Sequence, residues 1–343
     1  MTSLRLFALS TALSVAALPV AAAEVTLRFQ HFVNPASANP THFMQPWADA
    51  IEEQSEGRIE VQLYPFMQLG GAAPNMYDLI ADGAVDGGWV IPGYQAGRFP
   101  EAEALELPFM TPKSAEAASV AAWEFTQAHL MDDFADIHVI AAHMHGPGLV
   151  HKKGAAPERV ADFAGLNLRG PSRPATLLLD AMGANPIGMP VPAFPEALSK
   201  GVLDGGVITW EQAPSLKLDE LTDSHTDVAG DRSLYNLYFL WAMNRDVYEG
   251  LPEDLRAVID ANSGAMASAW AGRAHDTGDA EGRAVIEASG NQIAELTPEV
   301  TTEIEALGAD VIDAWIVEMD GKGFDGSTLV EDAHAAMAKA GAR

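Results

Sequence analysis

The sequence predicts an α/β protein of two lobes that share a cleft, and three observations carry that expectation. A chain of 343 residues exceeds what one ordinary hydrophobic core organises. Apolar alternation and helical periodicity follow one another as β-α-β units, the pattern of parallel or mixed sheets. The pattern GxxDGG occurs twice, as Gly83–Gly88 and Gly201–Gly206, 118 positions apart. Each copy closes a helix, opens a strand and precedes a tryptophan, Trp89 or Trp210, so the two lobes read as related in topology.

Taken in order, Val25 to Gln30 alternates as a strand, and His31-Phe32-Val33 leads into a loop. A helix from Pro40-Thr41 carries Phe43, Trp47 and Ile51 on one side, Gly57 ends it, and Arg58 to Tyr64 returns as a strand closed by Pro65. A second helix spans about 74–82, and the first GxxDGG leads into Trp89-Val90-Ile91. A helix follows over about 114–132. Ile137 to His145 is strand-like, with His143 and His145 on one face. Leu166 to Arg169 is a short strand, broken by Gly170-Pro171-Ser172 before a helix over about 173–182, with Ser172 as its cap. A helix over 194–200 enters the second GxxDGG and the strand Val207 to Thr209, and Leu234 to Asn244 is an aromatic strand. The stretches 137–145 and 234–244 are the expected crossings between lobes. Beyond Pro252 the chain is Ala- and Glu-rich and reads as bracing helices, with Gly264, Gly290 and Gly308 as possible ends. The expected division is a signal over 1–23, lobe I over 24–145 with about 235–255 returning to it, and lobe II over 146–234. Helices over about 256–343 pack on both lobes.

The leader is read from Arg5, the apolar run Leu6 to Leu18 and the small-residue site Ala21-Ala22-Ala23, which together describe a cleavable secretory signal. No later stretch has the roughly 18 to 20 unbroken apolar residues of a membrane span. Cysteine is absent, which excludes disulfides and thiolate metal sites. A formal charge of −28 argues against nucleic acid or an anionic membrane as partner. It also repels anionic ligands at long range, so binding one requires a local, desolvated positive site.

Arg169 is the candidate for that site. It stands where a strand ends and a helix begins, the usual ligand crevice of α/β sheets, beside free helix N–H groups. On geometry alone it serves equally as a partner for a surface carboxylate. No GxSxG elbow, HExxH helix, P-loop or serine-x-x-lysine motif accompanies it. His143 and His145, with His151 as a distant third, offer a metal pair at weak spacing, and a structural or ligand-bonding role fits them better. Phe32, Trp89, Trp210, Phe239 and Trp241 read as core or as stacking surfaces, with Trp89 and Trp210 preferred as ligand covers. Glu211 would repel an anion unless it pairs with Arg173, accepts a proton or holds a cation.

Several motifs together resemble one family. They are Gly57-Arg-Ile-Glu-Val-Gln-Leu-Tyr-Pro65 with Gln68-Leu-Gly70, Gly97-Arg-Phe-Pro100 with Leu107-Pro-Phe109, Asp162-Phe-Ala-Gly-Leu-Asn-Leu-Arg169, Met182-Gly-Ala184 with Pro190, and Gly201-Val-Leu-Asp-Gly205. The chain resembles the extracytoplasmic solute-binding proteins of tripartite ATP-independent periplasmic (TRAP) transporters, the DctP-type family. The resemblance implies a periplasmic-binding-protein-like fold, with lobes joined by hinge strands, a long helix bracing both, and closure around a small organic acid. It implies that Arg169 makes a paired salt bridge to the ligand carboxylate. Family members that bind α-keto acids hold a cation at the stretch matching Trp210-Glu211, with a glutamine near the segment His143 to Gly148. This chain has His-Met-His-Gly-Pro-Gly there, so no cofactor or metal is expected. That variant, with Arg169-Gly-Pro-Ser-Arg173, looks like a subgroup for aromatic and other monocarboxylic acids. The expected ligand set is Arg169, Trp210, Glu211, His145, Trp89, Phe32, His31, Arg173 and Phe239. The expected setting is a periplasmic monomer that delivers its anion to the transporter's membrane subunits and carries out no chemistry. The alternatives are an exported metal-assisted hydrolase using His143, His145 and Glu211, or a receptor for an ATP-driven importer or sensor kinase.

Overall fold

Residues 23–341 are described by the computed structural model; the signal-like leader, apart from Ala23, lies outside them. The strands among these residues form two mixed sheets. The first has the order β2-β1-β3-β10-β4, from β1 Val25–Gln30, β2 Ile59–Tyr64, β3 Gly87–Val90, β4 Ile137–Met144 and β10 Tyr238–Asn244. The second has the order β11-β9-β5-β8-β6-β7, from β5 Gly148–Lys152, β6 Asn167–Gly170, β7 Asn185–Gly188, β8 Gly205–Thr209, β9 Ser224–Asp227 and β11 Gln292–Glu295. In both, a strand runs parallel to two neighbours, β1 to β2 and β3, β6 to β7 and β8. In both, an antiparallel strand joins next, β10 beside β3 and β5 beside β8.

The duplicated GxxDGG accounts for part of this likeness. The carboxylate of Asp86 accepts the Arg28 backbone N–H at 2.8 Å, and that of Asp204 accepts the Asn167 N–H at 2.8 Å. Each aspartate therefore pins the neighbouring parallel strand, β1 at its middle and β6 at its start, to the strand that its own motif opens. Glycine follows for a steric reason. A Cβ at Gly87 would lie 2.3 Å from the Phe29 ring, and one at Gly205 would lie 2.4 Å from the His151 carbonyl oxygen.

The expected crossing stretches reach the passages between the sheets only at their ends, His145 and Leu234 to Leu237. Residues 137–144 and 238–244 lie side by side as β4 and β10 within the first sheet. The chain passes to the second sheet through His145-Gly146-Pro147 and returns between Asp227 and Tyr238. Strand β5 escapes a sequence reading because its apolar core is three residues before a lysine, and β11 because polar residues flank Ile293-Ala294. The helix expected over 114–132 is α-helical only over Ala115–Phe125 and continues as a wider π turn over Thr126–Leu130. Gly308 is not a helix end: it lies inside Pro298–Lys322, where a Cβ would come 3.0 Å from Pro108.

The helix Gly264–Ser289 runs 26 residues, about 39 Å at 1.5 Å per residue. Ser268 Oγ accepts the Ala142 N–H of β4 at 3.0 Å, whereas Asp279 accepts the Glu211 N–H, just past β8, at 2.9 Å. One helix is thus tied to both sheets. Its buried face is built of small residues, Ala271, Gly272, Ala274, Gly278 and Gly282 among them, which lets other backbone approach closely. A Cβ at Gly282 would stand 1.9 Å from the Trp210 carbonyl oxygen.

Gly282→Ala is expected to destabilise the protein by about 1–3 kcal/mol through overpacking. Gly321→Ala, in a helix position with open space around it, is expected to stabilise by up to about 1 kcal/mol. Urea unfolding of both variants checks the pair; equal effects would contradict close backbone contact at Gly282.

Candidate functional site

Between the two sheets lies a small cavity of about 30 Å³. The first sheet and its loops supply Phe32, Trp89, Ile91, Tyr94, Leu237 and Phe239; the second sheet and its loops supply Arg169, Val191, Ile208, Thr209, Glu211 and Gln212. His145 enters from the crossing itself, and Tyr235 from the returning one.

Arg169 is at the end of β6 and is 0% exposed. Its Nε donates to the Met189 carbonyl and one Nη donates to the Val207 carbonyl, both at 3.0 Å. Its other nitrogen, Nη2, is buried with no partner, and no ion pair among the described residues involves this guanidinium. The backbone around it thus holds the fork by one edge and leaves donor capacity open. The Tyr94 hydroxyl comes close to the Arg169 guanidinium, and Tyr235 lies within its electrostatic reach. The Tyr94 hydroxyl accepts the Val191 N–H at 3.0 Å, so its own proton is free to be donated.

The apolar wall is a stack of rings. Phe32 lies on Trp89 at 4.9 Å and 5°, and Trp89 lies on Phe239 at 4.8 Å and 13°. His143 continues the stack against Phe239 at 5.0 Å, with its Nε2 accepting the Trp89 indole N–H at 2.9 Å. Flat rings fixed in this way offer a rigid apolar face at little entropic cost.

Opposite in character is a polar cluster after β8. Both carboxylate oxygens of Glu211 accept from the Gln212 amide, at 2.9 and 2.8 Å, and His275 Nδ1 of the long helix lies 3.3 Å from Glu211 Oε1. Asp279, one turn further along that helix, is driven well above the usual carboxylate range by burial and by the nearby charge of Glu211. Its protonated form is therefore favoured.

Six of the nine sequence-derived candidates meet in the cavity: Arg169, Glu211, His145, Trp89, Phe32 and Phe239. Three do not. Trp210 points to the far side of β8, against His151 and His225, with Arg283 over its ring, because successive residues of a strand face opposite ways. His31 is buried beside the site without lining it. Arg173 neither lines the cavity nor restrains Glu211; it pairs with Glu103 at 2.7 Å and with Glu318, and Glu103 also accepts the Trp315 indole N–H at 3.0 Å. That cluster ties the helix after β6 to the Glu101–Glu106 turn and to the helix Pro298–Lys322. Ser172 occupies the N-cap of Arg173–Ala181 without a side-chain cap bond, and this helix start opens onto a separate shallow groove. The sequence reading passed over Tyr94, Tyr235, Thr209 and Gln212. Only Gln212 carried a signal, as the neighbour of Glu211.

The family model for bacterial extracellular solute-binding proteins, family 7 (DctP), matches residues 29–318. A TRAP solute-binding protein of Rhodoferax ferrireducens T118, solved with copurified benzoate, is 44% identical with a TM-score of 0.89, covering 92% of this chain and 98% of that one. A marine metagenome TRAP solute-binding protein specific for aromatic acid ligands, solved with 3-hydroxybenzoate, is 41% identical with a TM-score of 0.90, covering 93% and 99%. A TRAP periplasmic solute-binding protein of Bordetella bronchiseptica, solved with (R)- and (S)-mandelate, is 28% identical with a TM-score of 0.84, covering 92% and 99%.

Burial holds several histidines of the two sheets and their crossing neutral. Desolvation lowers His31, His138 and His225 to about 4, His145 to about 3, and His143 and His151 well below their ordinary value. Below about pH 6.5 the unfolded chain takes up protons that the folded one refuses, so this stability is complete above that pH and is lost as pH falls toward 4. Glu106, raised to about 8 by burial, and Asp279 act oppositely, since their protonated forms favour the fold as pH drops. The histidines outnumber them. Chemical denaturation is therefore expected to give a stability lower at about pH 5.5 than at about pH 7 by on the order of 3 kcal/mol; an equal or greater stability at the lower pH would contradict neutral burial.

Proposed function

We infer the function from family membership: this chain belongs to the bacterial extracellular solute-binding proteins of family 7, the DctP family. On that premise we propose that it is the exported, periplasmic receptor of a TRAP transporter and captures an aromatic monocarboxylate. The observation that carries the ligand class is the Arg169 guanidinium, fully buried, held on two carbonyls, with Nη2 unpartnered in a cavity that has one wall of stacked rings. A desolvated cation without a counter-ion is costly, and a carboxylate arriving at Nη2 removes that cost. The ring stack of Phe32, Trp89 and Phe239 suits a flat apolar body attached to the carboxylate. Relatives that bind benzoate, 3-hydroxybenzoate and mandelate support the same class.

In this reading the two sheets are the cores of two lobes. The open form admits the anion, Arg169 takes the carboxylate with the Tyr94 hydroxyl as a second donor, and closure brings the ring wall against the remainder. Excluding water strengthens the ion pair and offsets long-range repulsion from a chain of formal charge −28. The Arg173–Glu103–Glu318 cluster, outside the cavity, steadies the closed form. The loaded receptor then docks on transporter subunits of the membrane. A hydrolase built on His143, His145 and Glu211 finds no support, since His143 Nε2 is taken up by Trp89 and Glu211 by Gln212.

Arg169→Met is expected to weaken benzoate binding by about 3–5 kcal/mol, hundreds- to thousandsfold, in isothermal titration calorimetry. Arg169→Lys is expected to fall in between, because a point charge cannot reproduce the fork. Affinity of a folded Arg169→Met within about tenfold of the parent would overturn the assignment.

A further inference from the structure

His145 carries information about the ligand that the guanidinium does not. It stands where the chain crosses from β4 to β5, is 3% exposed, and lines the cavity. Its Nδ1 lies 2.7 Å from the Gly146 carbonyl oxygen. A carbonyl only accepts, so Nδ1 must carry the proton. The ring is neutral, because burial lowers it to about 3. Its other nitrogen, Nε2, is then a bare lone pair, and it is buried with no hydrogen-bond partner.

The surroundings hold the residue in place. The backbone N–H of His145 is bonded to the Asn236 side-chain oxygen at 3.2 Å, and its carbonyl accepts the Asn236 amide at 2.8 Å. The ring is packed edge-on against Tyr235 at 5.2 Å and Phe239 at 6.0 Å. Burial above all, and the nearby charge of Arg169, disfavour its protonation. The neutral state therefore holds through the physiological range, and the site presents an unpartnered acceptor nitrogen alongside an unpartnered donor nitrogen, Arg169 Nη2.

We propose that this receptor selects aromatic acids bearing a hydroxyl, with the carboxylate on Arg169 and the hydroxyl donating to His145 Nε2. This rests on the reading of the site as an aromatic-acid receptor and narrows it. An unsubstituted acid leaves the lone pair unsatisfied in a closed site, a desolvation loss that the hydroxylated acid does not incur. A phenol and a benzylic alcohol supply the same donor. Which of the two fits is a matter of reach.

Calorimetry of the full-length mature protein with six acids separates these cases. Benzoate, phenylacetate and 3-methoxybenzoate lack the donor; 3-hydroxybenzoate, 4-hydroxybenzoate and mandelate carry it. At least one hydroxylated acid is expected to bind about tenfold to a hundredfold more tightly than its unsubstituted parent, and 3-methoxybenzoate to gain nothing. In His145→Phe, which keeps a ring but removes the acceptor, that ratio is expected to fall to within about threefold of unity. His145→Gln, which keeps an acceptor oxygen, retains part of it. A preference for 3-hydroxybenzoate or 4-hydroxybenzoate assigns a phenol, and one for mandelate a benzylic alcohol. Equal affinity of the parent protein for hydroxylated and unsubstituted acids overturns the inference and leaves the aromatic-acid reading standing. A preference that survives His145→Phe also overturns it and assigns the hydroxyl to another acceptor, such as Glu211. Failure of all six to bind overturns both. The comparison within the parent protein needs no variant to fold.

Discussion

A guanidinium with no accessible surface and no carboxylate partner is the constraint around which this protein is arranged. Charges are rarely buried unpaired, because the lost hydration is worth several kcal/mol. Arg169 is tolerated because the Met189 and Val207 carbonyls take two of its N–H groups. What they leave open is directional. One nitrogen is kept dry and unpartnered in a cavity, so that the missing partner is supplied only by a molecule from outside.

That arrangement needs two rigid bodies and a join between them. The pinning of β1 by Asp86 and of β6 by Asp204 gives each sheet the same local frame. It sets the ends of β3 and β6 against the cavity, where Trp89 and Arg169 stand. The long helix Gly264–Ser289 holds both sheets through small residues and two side-chain bonds, Ser268 to β4 and Asp279 to Glu211. His145 lies in the short crossing between the sheets.

Much of this was legible in the amino-acid order, and the misses have physical causes. The β-α-β units, the duplicated motif and Arg169 at a strand end are local features, readable from periodicity and turn chemistry. The ring wall was legible as a set of aromatics, though not its stacking. Trp210 was misread because standing just after a strand does not say which face a side chain takes, and it takes the one away from the cavity. Arg173 was misread because its partners, Glu103 and Glu318, lie far off in sequence and are brought together only by tertiary packing. Tyr94 and Tyr235 come from a tight turn and an irregular crossing, where no period announces a buried side. The crossings themselves were displaced by a few residues, since a strand of the first sheet and the exit from it share one apolar run.

The most direct test of the central claim is a crystal structure with 3-hydroxybenzoate bound. The account expects a closed form with the carboxylate about 2.8 Å from Arg169 Nη2, the ring against Trp89 and Phe239, and Arg169 still held by Met189 and Val207. A carboxylate bound elsewhere, with Arg169 Nη2 facing water or a protein carboxylate, would contradict it.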